Sequence, residues 1–171
     1  MTRALALEIR SDLFLVGRVS EVGLRRVAHI RVPASAVWET CRDGLLDAAG
    51  EDEIAAVGIA CRAPINGSAG LVAPDGILEW RGGFAVVAAV QRMFPAAVVE
   101  IATDCQCLIL AGRGCTPGRG SHAVLTGAAI LALAAADRSV DRSLCPGTRT
   151  LRTRTEQSPP WLVPCPGDGP R

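Results

Sequence analysis

A chain of 171 residues that is 49% hydrophobic and 20% charged has the composition of one globular unit, which excludes a disordered or fibrous protein. At this length folding buries about two-thirds of the unfolded surface, so neither a metal nor a disulfide is needed to hold a core. A formal net charge of +1 excludes the broad basic surface of a duplex binder, and with no tyrosine and only 4% aromatics the core must be filled by alanine, valine and leucine.

In chain order, apolar alternation and β-branched residues predict three short strands, Ala4 to Glu8, Leu13 to Val19 and Arg26 to Val32, as an antiparallel meander. Arg3 ahead of apolar residues has the outline of a signal peptide, but Glu8, Arg10 and Asp12 interrupt it, so a mature cytoplasmic protein is expected. Pro33 ends the third strand. Ser35 is the expected cap of a helix from Ala36 to Ala49, with Val37, Trp38, Cys41, Leu45 and Leu46 on one stripe and Gly50 closing it. The continuous apolar run Ala55 to Ala60 predicts a central strand covered on both faces. Ala63 to Gly70 reads as a loop, Gly82 to Phe94 as a helix ended by Pro95, and Ala97 to Ala102 as a second buried strand. Asp104 opens a short helix to Ala111. Beyond a glycine-rich break from Gly112 to Gly120, Ser121 to Ala136 makes a small-residue helix capped by Ser121. That stretch is shorter than the roughly 20 residues that a bilayer requires, so no membrane partner is expected.

From Arg138 the chain holds six arginines against three acids among threonine and proline, with no apolar period. Such a tail cannot build a core and is expected to be solvated and disordered. The cysteines, Cys41, Cys61, Cys105, Cys107, Cys115, Cys145 and Cys165, are odd in number and unevenly spaced, which argues against a disulfide scaffold. Cys105, Cys107 and Cys115 with His122 lack the spacing of a zinc knuckle, so no metal is expected, and the cysteines in apolar runs read as small core residues.

Three meandering strands followed by alternating helices and strands is the build of an actin-like, ribonuclease-H-like lobe, and individual residues narrow the likeness. Ala56 to Pro74 reads A-V-G-I-A-C-R-A-P-I-N-G-S-A-G-L-V-A-P, with Trp80 beyond it, and V-V-E-I-A-T-D-C-Q-C-L-I-L-A follows from Val98. These segments resemble the ROK family of sugar kinases and sugar-responsive repressors, with Pro64, Ile65, Gly70, Val72, Pro74 and Trp80 in register. The resemblance covers about Ala4 to Gly112. It implies an α/β fold with a mixed sheet, and a three-part division into a lobe (1–112), a linker with a C-terminal helix (113–137) and a tail (138–171). It also implies that Asp104 stands for the catalytic aspartate, Thr103 and Gln106 for two sugar-binding asparagines, and Asn66 for an aspartate of the sugar-proximal loop. The helix Ser121 to Ala136 is similar to the family's last helix.

Where the family's kinases carry a D-x-G-G-T phosphate turn, this chain has Glu8-Ile9-Arg10-Ser11-Asp12. Side chains replace both glycines, and Asp12 would meet phosphate; two like charges about 4 Å apart cost roughly 4 kcal/mol at an effective dielectric near 20. That is about a thousandfold in affinity. Ala63 replaces a glycine before Pro64, and the E-x-G-H and cysteine-rich motifs of the family's second lobe are missing. The expectation is therefore a truncated, degenerate ROK-type protein without efficient kinase activity and without a cofactor, retaining weak sugar binding. Two alternatives stay open: a sugar kinase using ATP and Mg²⁺ whose cleft a partner or a second copy completes, and a non-catalytic structural remnant. The family's regulators carry an N-terminal winged helix, and with the first strand expected from Ala4 none is expected in this chain, so DNA binding is not expected of this chain alone. Asp104 itself reads either as a general base or as the cap of the helix after it.

Overall fold

The computed structural model describes residues 3–20, 23–62, 65–112 and 122–143. A five-stranded mixed sheet runs in the order β3-β2-β1-β4-β7, built from β1 (Ala4–Ile9), β2 (Leu13–Ser20), β3 (Gly23–Arg31), β4 (Ala56–Cys61) and β7 (Val98–Thr103). The first three form the expected antiparallel meander, and β4 and β7 lie parallel to β1. Helices α1 (Val37–Ala49) and α2 (Val86–Met93) cover one face; α3 (Asp104–Leu110) and α4 (Ala123–Ser143) cover the other. A two-stranded hairpin, β5 (Ile65–Asn66) and β6 (Leu71–Val72), follows β4.

The two faces differ because residues alternate in size along the central strands. Leu5, Leu7 and Ile9 of β1 and Val57, Ile59 and Cys61 of β4 fill the core toward α1 and α2. Ala4 and Ala6 of β1 and Ala56 and Ala60 of β4 face α4, which answers with Ala128, Ala132, Ala135 and Ala136. Small residues on both sides bring the α4 backbone close to the sheet. A Cβ at Gly58 would collide with the carbonyl oxygen of Ala128, and one at Gly127 with that of Cys107. The alanine-rich character of α4 is thus a condition of close approach, and the helix belongs to the core of the sheet.

Several expectations need correction. Ser35 does not cap α1: Ala36 takes a left-handed φ of 57°, and the Glu79 carboxylate accepts the Ala36 and Val37 N–H groups at 2.9 Å each. Glu79 sits in a 3-10 turn (Leu78–Trp80) whose Trp80 stacks on Phe84 with ring centres 4.5 Å apart. The helix expected from Gly82 starts instead at Val86, because Gly83 has φ 95° and Phe84 pairs with Val72 in an antiparallel bridge. The loop after β4 contains a hairpin in which the Asn66 side chain accepts from Ser68 and from the Ala69 N–H, closing the turn. Helix α4 continues through Ser143, so the arginine-rich segment expected to be disordered from 138 begins as helix. Ala63, Pro64, the break from 113 to 120, the Ser121 cap and the tail after 143 lie outside the described residues.

Candidate functional site

Two carboxylates meet at the carboxyl ends of the parallel strands, the end of an open α/β sheet where ligands bind. Glu8, the last-but-one residue of β1, points to the α3 side of the sheet by the same alternation that places Ala4 and Ala6 there, and is 1% exposed. Asp104 is the first residue of α3, directly after β7. The two are close enough that Glu8 raises the pKa of Asp104. The structure removes the capping alternative for Asp104. Thr103 is the cap: its hydroxyl oxygen accepts from the Gln106 N–H at 3.2 Å, and the Gln106 side-chain oxygen accepts the Thr103 N–H at 2.9 Å. Asp104 Oδ1 and Glu8 Oε2 are buried and, among the described residues, have no hydrogen-bond partner. Buried orphaned oxygens are uncommon and mark functional or strained positions.

Burial first, and the charge of Glu8 second, push the Asp104 carboxyl from 3.8 up to about 6, while Arg62 and then Arg10 pull it down. A carboxyl with a pKa near 6 is suited to take a proton from a substrate hydroxyl near neutral pH. Glu8 is engaged through its other oxygen, which accepts the Arg10 Nε–H at 2.5 Å. Arg10 is half-exposed, so its guanidinium spans from the buried carboxylate to solvent at the β1–β2 turn. Ser11 and Asp12 are exposed on that turn, and the Gly76 loop presses on Ser11 so closely that a Cβ at Gly76 would come within 2.9 Å of it. Beneath the carboxylates lie the thiols of Cys107 and Cys61, each pushed up to about 12, by burial and then by Asp104. They are free, as is Cys41, whereas Cys105 is held in a disulfide, contrary to the expectation of reduced core cysteines throughout. Cys107 and Leu108 of α3 are buried, whereas Cys105 is only half-buried and is not enclosed in the core.

A groove of about 720 Å³ lies between the edge strand β7, the hairpin, α3 and α4; Thr103 and Gln106, on either side of Asp104 in the chain, line it, whereas Glu8 and Asp104 do not. Thr103, Gln106, Ile65 and Gly67 line its upper end, and the Glu100–Arg138 ion pair, 3.0 Å, closes the other. The residues named from the sequence therefore fall into two groups. Glu8, Arg10 and Asp104 converge. Thr103 and Gln106 reach the groove but bond to each other, and Asn66 is exposed and spent on its own turn. Arg62 and Cys107 were missed, although Arg62 follows β4 at the same end of the sheet as Asp104, a position that its place in the sequence gives away. Among the described residues no three histidine, cysteine, aspartate or glutamate side chains cluster to hold a metal, and no helix is long and apolar enough to cross a membrane.

No protein-family model matches the sequence, and no curated protein matches it. Solved structures do. A ROK family glucokinase from Streptomyces griseus, in complex with glucose and AMPPNP, superposes on 69% of this chain with a TM-score of 0.54 at 16% identity. This chain has the ROK-type fold. An inorganic polyphosphate/ATP-glucomannokinase from Arthrobacter sp. strain KM matches over 70% of the chain (TM-score 0.51, 17% identity), and a ROK family transcriptional regulator, a homologue of the E. coli MLC protein, over 64% (TM-score 0.51, 12% identity). The chain spans 38%, 51% and 29% of the lengths of these three proteins respectively. The ROK-type fold carries with it the actin-like mixed sheet expected from the order of elements, with Glu8 and Asp104 at the carboxyl ends of its central and edge strands.

Proposed function

We propose that this chain is a degenerate member of the ROK family, a pseudoenzyme that binds a sugar hydroxyl at Asp104 and does not transfer phosphate efficiently. The observation that carries this reading is the Arg10–Glu8 pair at 2.5 Å. A phosphate turn works by presenting backbone N–H groups across glycines and an acid to a hydrated cation. Here an internal guanidinium already neutralises Glu8, and side chains stand where the nucleotide's phosphates would approach. The residues present do not fit Mg²⁺ and ATP, and no phosphoryl step is derived through them. Asp104 keeps a buried oxygen with no partner among the described residues, next in the chain to Thr103 of the groove, and a sugar hydroxyl that enters from the groove would supply that partner. Thr103 and Gln106 hold the start of α3 in place for it, and Asn66 shapes the hairpin on the opposite side.

The test is a thermal-shift series on the purified chain with hexoses, N-acetylated sugars and ATP–Mg²⁺. A sugar at about 100 times its dissociation constant adds about 2.7 kcal/mol of stability. The expected result is a shift with one class of sugar, lost in Asp104→Asn, and none with ATP–Mg²⁺. Sugar-dependent ATP turnover that disappears in Asp104→Asn would instead establish the second reading, a sugar kinase completed by a partner or a second copy; the raised pKa of Asp104 favours it. No shift with any ligand leaves the structural remnant.

A further inference from the structure

The two histidines of the chain, His29 and His122, are 93 positions apart in sequence, yet their rings meet with centres 5.4 Å apart and planes at 77°. Both are exposed. Their backbones are anchored in regular structure. His29 lies in β3 paired with Leu15 of β2. His122 directly precedes α4, and its carbonyl oxygen accepts both the Thr126 N–H at 2.7 Å and the Thr126 hydroxyl at 2.9 Å. Neither residue belongs to the carboxylate site or to the groove.

With Zn–N bonds of about 2.0–2.1 Å, two imidazoles on one tetrahedral ion have ring centres about 5 Å apart. The observed 5.4 Å lies close to that separation, and both rings are exposed and free to rotate so that one nitrogen of each meets at a common point. We propose that His29 and His122 form a two-point site for a divalent transition cation of the zinc type, with water completing the coordination, and that the bound ion ties the start of α4 to strand β3. Imidazole pairs select zinc, nickel and copper over magnesium and calcium, so the class of ion follows from the donors. Because α4 covers the small-residue face of the sheet, the ion would act on the whole domain by holding the first turn of that helix down.

The experiment is titration of the full chain with Zn²⁺ alone, followed by imidazole proton signals, calorimetry and thermal unfolding. Since the protein has only two histidines, Zn²⁺ should move both sets of ring signals together and raise the Tm. His29→Gln and His122→Gln should each weaken the Zn²⁺ affinity at least tenfold and abolish the Tm rise. Co²⁺ in place of Zn²⁺ should give weak visible bands without a thiolate charge-transfer band. Ring signals that stay in place in the unaltered protein, affinity that persists in either variant, or a thiolate band from cysteine ligation would each overturn the proposal.

Discussion

Replacing Asp104 by asparagine isolates the charge at the centre of the site. Its pKa lies at about 6 in the fold against an ordinary 3.8, so the native state holds this proton more tightly than the unfolded chain does. The stability that this proton contributes is fully present below about pH 4 and is lost as the pH rises through about 6. At about 1.4 kcal/mol for each pH unit the whole difference is about 3 kcal/mol; Asp104 is partly exposed, and solvent screening leaves about half of it, near 1.5 kcal/mol. Asparagine carries no charge for burial or for Glu8 to oppose. Asp104→Asn should therefore be more stable than the parent by about 1.5 kcal/mol at pH 8, equivalent to about 5 °C in Tm, and indistinguishable from it near pH 4. The assay is urea unfolding of both proteins at half-unit steps from pH 4 to 8. A variant that is less stable at pH 8, or a difference that does not change with pH, would refute the argument, because Asp104 would then be a favourably ionised partner of Arg62 and Arg10.

Three further outcomes follow from the packing. Gly58→Ala should destabilise by about 3 kcal/mol, since the new methyl group meets the Ala128 carbonyl and α4 must retreat from the sheet; a denaturation midpoint equal to the parent's would show that the helix is not seated there. Glu79→Ala leaves the Ala36 and Val37 N–H groups without their acceptor and should cost about 1–2 kcal/mol in equilibrium unfolding, whereas Ser35→Ala should be nearly neutral. Cys41, Cys61 and Cys107, whose thiols are pushed up to about 12, should resist iodoacetamide at pH 8 in the folded protein and react on unfolding, which mass spectrometry of tryptic fragments reads directly.

Local periodicity was enough to place β1, β2, β4, β7, α1 and α3 within a residue or two, because the apolar pattern of each of these elements reports which of its faces is buried. Register against the family's motifs directed attention to Asp104 and to the turn after Glu8, both of which lie at the carboxyl ends of the parallel strands. Local reading failed where a distant residue decides a local choice. The cap of α1 comes from Glu79, more than forty positions away, and no inspection of Pro33 to Val37 could find it. The late start of α2 depends on the bridge between Phe84 and Val72. Asp104 looked equally fit to be a base or a cap, but the Thr103–Gln106 pair does the capping and the aspartate's Oδ1 has no partner among the described residues. The sequence by itself determined the order of the five strands of the main sheet and of the four helices, and the side chains carried by the turn from Glu8 to Asp12, since these are written in contiguous residues. Only the tertiary structure decided that Arg10 neutralises Glu8, that Glu8 in turn raises Asp104, and that the alanines of α4 exist to let a helix lie on Gly58, because each is a contact between segments that folding alone brings together.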